Sequence, residues 1–123
     1  MMKLMIVDDS NIIRSKIARA LGKHGLEIVA MAPNGQDAVR CFQTLSPDLV
    51  TMDLTMPHMD GIECIKKIRA INDKARILVI SALADKATAI QALKEGALGF
   101  LPKPFTEDDL TEAMDELLGD QHG

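Results

Sequence analysis

The sequence lacks the marks of a secreted or disulfide-stabilised protein. Its 123 residues include no tryptophan, no tyrosine and only two cysteines, Cys41 and Cys64. The apolar stretch that precedes the acids Asp8 and Asp9 is too short to be a signal peptide. Two cysteines without an export signal predict reduced thiols. We therefore expect a cytoplasmic protein.

Positive charge and long apolar runs are also scarce. The chain carries 14 Lys and Arg against 18 Asp and Glu, which gives a formal charge of -4. This balance offers no basic surface for nucleic acid or anionic lipid. No apolar run approaches the roughly 20 residues that cross a bilayer. We therefore expect neither nucleic acid nor a membrane among the partners.

Two periodicities alternate along the chain. Short apolar runs predict five strands at Leu4–Val7, Leu26–Ala30, Leu49–Met52, Ile77–Ile80 and Phe100–Leu101. Apolar stripes at helical spacing predict five helices, with their stripes at Ile13–Leu21, Ala38–Leu45, Cys64–Ile71, Ile90–Ala97 and Leu110–Leu117. Helix caps are expected at Asp60 and Asp85, a capping box at Thr106 and Asp109, and a helix end at Gly25.

The composition of the strands predicts their order. The first, third and fourth runs are continuously apolar, as buried central strands are. Glu27 interrupts the second run, and Pro102 in the fifth lacks the N–H group that a central strand needs. The expected fold is a flavodoxin-like, doubly wound α/β domain with a five-stranded parallel sheet, order 2-1-3-4-5, and five helices.

One domain accounts for the whole length. We expect a single domain over residues 1–123, because 123 residues with 47% hydrophobic content can bury their own core. The last helical pattern ends near Leu118. The residues after it are too few for a DNA-binding output domain.

Ionisable side chains follow the strands that should be neighbours in the sheet. Asp8 and Asp9 follow the first strand, Asp53 the third, Ser81 the fourth and Lys103 the fifth. Ligands bind beyond the carboxyl ends of strands in such sheets. Three converging carboxylates need compensation, which a divalent cation and one lysine would supply. Oxygen ligands suit Mg²⁺. A carboxylate nucleophile, a Mg²⁺ ion, a lysine and a hydroxyl together predict a phosphoryl-transfer site.

Each of these residues has a simpler interpretation when it is taken alone. Asp8 and Asp9 precede a helix and could cap it, and Asp53 or Ser81 could cap a helix or turn. Lys103 could be a solvated surface residue. Their joint placement at one edge of the sheet favours the functional interpretation.

These segments resemble the response-regulator receiver domain. The resemblance is carried by Ile6–Ser10, Met52–Gly61, Ser81–Ala82 and the stretch from Gly96 to Phe105, and it covers nearly the whole chain. It implies that a histidine kinase donates a phosphoryl group to an aspartate, with Mg²⁺ as the metal. It also implies a switched protein-binding face on helix four, strand five and helix five.

The resemblance assigns a role to each matching position. Asp53 matches the phosphoacceptor, and Lys103 and Ser81 match the residues that contact the phosphoryl group. The implied metal ligands are Asp8, Asp9, Asp53 and the backbone carbonyl of Thr55. Ser81 and Phe100 match the switch pair, although the serine replaces the commoner threonine, and the phenylalanine has no phenol hydroxyl for a partner.

The expected function is that of a stand-alone response regulator with a chemotaxis-type or similar output, and not an enzyme with a separate substrate. We expect a monomer or a weak dimer. A phosphorelay intermediate that passes its phosphoryl group to a second histidine protein is the alternative. An aspartate-nucleophile phosphatase would need an acid where Thr55 stands, and a nucleotide-binding module would need a glycine-rich loop where Asp8 and Asp9 stand.

Two further expectations concern single positions beside the candidate site. The peptide bond between Lys103 and Pro104 should be cis, because the chain must turn sharply while it directs Lys103 toward Asp53. The resemblance places the apolar Leu83, two residues after Ser81, at the mouth of the site, where it should shield the acyl phosphate and slow its hydrolysis.

Overall fold

A computed structural model of the protein describes residues 1–56, 59–82 and 86–119. The strands are β1 (Lys3–Val7), β2 (Glu27–Ala32), β3 (Leu49–Met52), β4 (Arg76–Ser81) and β5 (Gly99–Pro102). The helices are α1 (Asn11–Lys23), α2 (Gly35–Leu45), α3 (Gly61–Ile71), α4 (Lys86–Lys94) and α5 (Glu107–Leu117). No helix among these residues is long and apolar enough to cross a membrane.

The strands form one parallel sheet in the order β2-β1-β3-β4-β5, which confirms the predicted flavodoxin-like fold. All four residues of β3 are buried, as are all but the first residue of β1. Glu27 on β2 and Pro102 on β5 are exposed at the two edges. The edge positions therefore tolerate a charge and a missing N–H group, as the sequence indicated.

Each face of the sheet is covered by its own hydrophobic cluster. One cluster joins alternate strand residues to α1 and α5, and its members include Leu4, Ile17 and Leu110. The other joins the opposite strand residues to α2, α3 and α4 around Phe42 and Ile65. The two faces are packed independently, and they meet only through the sheet.

The ends of the helices follow the sequence closely. Asp60 caps α3 and accepts a hydrogen bond from the backbone of Glu63, and Thr106 forms the predicted capping box with Asp109. Gly25 adopts a positive φ of 93° just after α1, a conformation that favours glycine. The cap predicted at Asp85 lies outside the described residues.

The apolar stripe predicted on α4 is wrong. Ile90 and Leu93 were expected to face the sheet, but 50% and 47% of their surfaces are exposed. The helix instead buries Ala92 completely, and Ala97 is buried just after its end. Apolar residues lie on more than one side of this helix, and the small side chain of Ala92 faces the core.

Candidate functional site

The carboxyl ends of the three central strands lie side by side. Val7 is in register with Met52, and Met52 is in register with Val79. The ladder continues one residue further, where the amide of Asp53 donates to the carbonyl of Val7 at 3.0 Å. The side chains that follow the strands therefore meet at one edge of the sheet.

Asp53 lies at the centre of this edge and is 3% exposed. Its Oδ1 accepts a hydrogen bond from the backbone N–H of Thr55 and another from the Ser81 hydroxyl, both at 3.2 Å. Its Oδ2 lies 3.7 Å from the Lys103 ammonium. The carboxylate is thus oriented by two donors on one oxygen and by a cation near the other.

Asp8 shares the same lysine. Lys103 Nζ donates to Asp8 Oδ2 at 2.8 Å, and Asp8 is only 1% exposed. The other oxygen of Asp8 accepts from the backbone N–H of Ser10 at 2.9 Å. Ser10, and not either acid, is the N-cap of α1. The interpretation of Asp8 and Asp9 as helix caps is therefore wrong, because Ser10 caps α1.

The third carboxylate belongs to the exposed Asp9. One oxygen from each of Asp8, Asp9 and Asp53 lies within 4.8 Å of the other two. Three clustered carboxylate oxygens are the ligand type that Mg²⁺ prefers. This donor set therefore fits the predicted metal.

The pKa of the Asp53 carboxyl is raised above its ordinary value. Burial is the main cause, and the negative charge of Asp8 adds to it. The N–H of Thr55, the ammonium of Lys103 and the hydroxyl of Ser81 act in the opposite direction. Three carboxylates and one lysine leave excess negative charge at the site, which a bound cation would relieve.

Lys103 reaches the carboxylates from the loop between β5 and α5. Its backbone N–H donates to the carbonyl of Ser81 at 3.0 Å. The peptide bond between Lys103 and Pro104 is cis, as the sequence analysis predicted. The strand bearing Ser81 and the loop bearing Lys103 are thus joined directly beside Asp53.

The glycine after the acceptor loop is required by close packing. A Cβ atom on Gly61 would lie 2.4 Å from the carbonyl oxygen of Asp53 and 2.6 Å from the Cα of Leu54. Both neighbours are backbone atoms that cannot move aside cheaply. Helix α3 can therefore begin directly against the strand end that carries Asp53.

The two residues assigned to the switch, Ser81 and Phe100, differ from each other in burial. Ser81 is completely buried and bonded to Asp53. Phe100 is half-buried on the edge strand β5, in register with Val79. Leu83, expected to shield the site, lies outside the described residues.

Two basic residues of α1 support the site and were missed in the sequence. Arg14 Nη1 donates to the Asp8 carbonyl at 2.5 Å, and Lys16 Nζ donates to the Phe105 carbonyl at 2.6 Å. Single basic residues on an exposed helical face carry no sequence signal that separates them from solvated ones. Only the fold shows that each reaches a loop of the site.

Cys64 has no place in this chemistry. Burial raises the pKa of the Cys64 thiol to about 12, and the acids Glu63 and Asp60 contribute. Its Sγ lies 3.7 Å from the Gly35 carbonyl, within the core. Such a thiol stays protonated and unreactive at neutral pH.

Comparison with known proteins indicates the same class of protein as the geometry of the site. A sequence profile of the response regulator receiver domain matches residues 4–115. The chemotaxis protein CheY of Bacillus subtilis is 45% identical, with 94% of this chain and 97% of that protein aligned. CheY of Thermotoga maritima is 41% identical over 94% of this chain and 96% of its own.

Solved structures agree as well. A chain of the CheX-CheY-BeF3-Mg²⁺ complex from Borrelia burgdorferi superposes with a TM-score of 0.92 at 30% identity, covering 95% of this chain and 89% of that one. The chain belongs to the response-regulator receiver family. It is a CheY-like receiver domain of two-component signalling, a class of signalling proteins with an acidic metal-binding pocket.

Proposed function

We propose that the protein is a stand-alone response regulator, a single receiver domain over residues 1–123 that is phosphorylated on Asp53. The donor is the phosphohistidine of a histidine kinase. The observation that carries the proposal is the environment of Asp53, where a buried carboxylate meets a lysine, a hydroxyl and two further acids. This combination is what a carboxylate nucleophile for a phosphoryl group requires.

The transfer forms one bond and breaks another. A carboxylate oxygen of Asp53 attacks the phosphorus, and the P–N bond to the kinase histidine breaks, which leaves an acyl phosphate on this chain. Lys103 lies close enough to Asp53 to contact the arriving phosphoryl oxygens. The hydroxyl of Ser81, which now bonds Asp53, would donate to one of them.

Mg²⁺ would be held by Asp8, Asp9 and Asp53, together with the backbone carbonyl of Thr55. When bound, it neutralises negative charge on the carboxylates and on the phosphoryl oxygens. The geometry supports this assignment, because one oxygen from each of the three carboxylates lies within 4.8 Å of the other two.

The output is a change in the face formed by α4, β5 and α5. A phosphoryl group adds charge and acceptor oxygens at Asp53. Ser81 would move toward the group, and Phe100 would turn inward into the space that this movement opens. A partner that prefers this form would in turn favour phosphorylation.

The pathway is proposed to be of the chemotaxis type. The relatives that support this are CheY proteins aligned over nearly their whole length. The protein would act in the cytoplasm as a monomer or weak dimer, with a histidine kinase and a target protein as partners. It would assist its own phosphorylation and dephosphorylation without a separate substrate.

Labelling with acetyl phosphate tests the acceptor directly. Native protein with Mg²⁺ should gain one phosphoryl group, and D53N should gain none. Chelation of the metal should abolish labelling of the native chain. The matched control is D73N, which alters an exposed carboxyl between α3 and β4 and should be labelled normally. Persistent labelling of D53N at another residue would contradict the assignment.

A further inference from the structure

Lys16 of α1 is held in place by a single buried residue. Its Nζ donates to the carbonyl of Phe105 at 2.6 Å and lies 4.5 Å from the centre of the Phe105 ring. Phe105 is 4% exposed, whereas the lysine is an exposed residue. A charge-assisted hydrogen bond and a cation–π contact to the same residue restrain a side chain that is otherwise flexible.

The residue that Lys16 holds is two positions from Lys103. The segment between them is fixed at its start by the backbone bond from Lys103 to Ser81, 3.0 Å long. Lys16 fixes its other end at Phe105. The ammonium of Lys103 must reach Asp8 at 2.8 Å and Asp53 at 3.7 Å from this short segment.

The same helix also holds the loop that carries the acids. Arg14 donates to the carbonyl of Asp8 at 2.5 Å, two positions before Lys16 in the helix. Helix α1 therefore contacts the backbones of two loops, one bearing Asp8 and the other bearing Lys103. The helix thus links the loop of the acids to the loop of their lysine.

We propose that Lys16 is a positioning residue of the phosphoacceptor site, which holds the β5–α5 loop so that Lys103 reaches Asp8 and Asp53. The proposal rests on the phosphoacceptor function proposed above. Lys16 itself touches neither the acids nor the phosphoryl group. Its effect is exerted through the backbone of Phe105.

A neighbouring ion pair supplies the matched control. Lys23 is also on α1 and lies 3.6 Å from Glu107, so it too joins α1 to the start of α5. It makes this contact on the surface, beyond the loop that bears Lys103. A general loss of packing between the two helices would affect both lysine variants, whereas a positioning role belongs to Lys16 alone.

The experiment compares K16M, K16R and K23M with the native protein. Acetyl phosphate is the donor, because a small donor removes any effect of kinase docking on α1. We expect the labelling rate of K16M to fall about three- to tenfold, since small displacements of a contacting group slow such reactions. K16R keeps a cation that can donate to the Phe105 carbonyl and lie over its ring, and should stay within about twofold of native. K23M should match native.

Two further measurements separate positioning from folding and from metal binding. Urea unfolding should show similar small losses for K16M and K23M. The Mg²⁺ affinity of K16M should not fall, because the carboxylates keep their positions. The side-chain NMR signals of Lys103 should move in K16M and stay in place in K23M, even without any phosphoryl donor.

The outcomes can be told apart. Native labelling rate and unmoved Lys103 signals in K16M would overturn the positioning role. Equal losses of rate in K16M and K23M would also overturn it, in favour of general packing. Failure of the native protein to be labelled would contradict the phosphoacceptor function instead, and the Lys103 signals would still decide whether Lys16 positions that residue.

Discussion

Helices α1 and α4 lie on opposite faces of the sheet, and they are held very differently. Helix α1 has 13 residues, buries Ile17, Ala20 and Leu21, and uses Lys16 to reach the loop of the site. Helix α4 has nine residues and buries only Ala92. Two of its large apolar side chains are about half exposed.

The difference indicates which side of the site is fixed and which can move. Segments with few buried apolar contacts open most easily and are the ones that conformational switches use. Helix α4 also has few contacts with α3. The ion pair between Lys66 and Glu95 at 4.0 Å and the packing of Arg69 against Gly96 both involve residues just after the end of α4. The loops that bear Asp8 and Lys103 thus contact α1, while Ser81 leads into the loosely held side.

The largest expected effect is a contrast in stability between the two helices. L21A removes a fully buried side chain from α1 and should lower the free energy of unfolding by about 3 kcal/mol. L93A on α4 should lower it by less than about 1 kcal/mol, because that leucine is half exposed. Urea unfolding of both variants measures the difference. Equal losses would show that α4 is packed as firmly as α1.

The next effect concerns the charge of the site. D53N should raise the free energy of unfolding on the order of 1 kcal/mol at neutral pH in the presence of a chelator. The pKa of Asp53 is raised by burial and by Asp8, so the folded protein binds the proton more strongly than the unfolded chain does. Ionised Asp53 therefore lowers the free energy of unfolding at pH values above its pKa in the folded protein. This loss of stability disappears as the pH falls through that pKa.

The difference in free energy of unfolding between D53N and the native protein should therefore shrink as the pH falls. Added Mg²⁺ should shrink the same difference, because the metal stabilises the native protein. Unfolding curves at several pH values, with and without the metal, check both trends. A D53N variant less stable than native at neutral pH without metal would contradict this electrostatic account.

A smaller effect is expected inside the sheet, on the face covered by α1 and α5. Thr51 is 1% exposed and in register with Ile6 and Leu78, and its hydroxyl has no hydrogen-bond partner among the described residues. T51V should stabilise the protein by up to about 1 kcal/mol, because a buried unpaired hydroxyl is costly.

Thr44 provides the control for this substitution. It is exposed, and its hydroxyl donates to the Arg40 carbonyl at 3.1 Å. T44V should change stability by no more than about 0.5 kcal/mol. A clear loss of stability in T51V would show that its hydroxyl is satisfied in solution, for example by a buried water.

The sheet and the positions of its chemistry were predictable because strand ends are marked in the sequence. Glu27 and Pro102 identified the edge strands, and Asp53 and Lys103 could be placed by the strands that they follow. The stripe on α4 was not predictable in this way. Apolar residues lie on several sides of that helix, and spacing alone does not tell that Ala92, rather than Ile90, meets the core.

Contacts between distant segments were equally hidden. Lys16 and Phe105 are 89 positions apart, and only the packing of α1 against the β5–α5 loop brings them together. The N-cap of α1 shows the same limit on a small scale. Asp8, Asp9 and Ser10 can all cap a helix, and the choice of Ser10 follows from the bonds that hold Asp8 in the site.

Amide NMR with Mg²⁺ and beryllofluoride, a stable mimic of the phosphoryl group, tests the central claim most directly. The chain has neither tryptophan nor tyrosine, so intrinsic fluorescence would report poorly. Large shifts are expected along α4 and around Phe100, with little change along α1. S81A should bind the mimic and leave the Phe100 region in its resting state. Shifts confined to the Asp53 loop, or equally large along α1, would contradict the account.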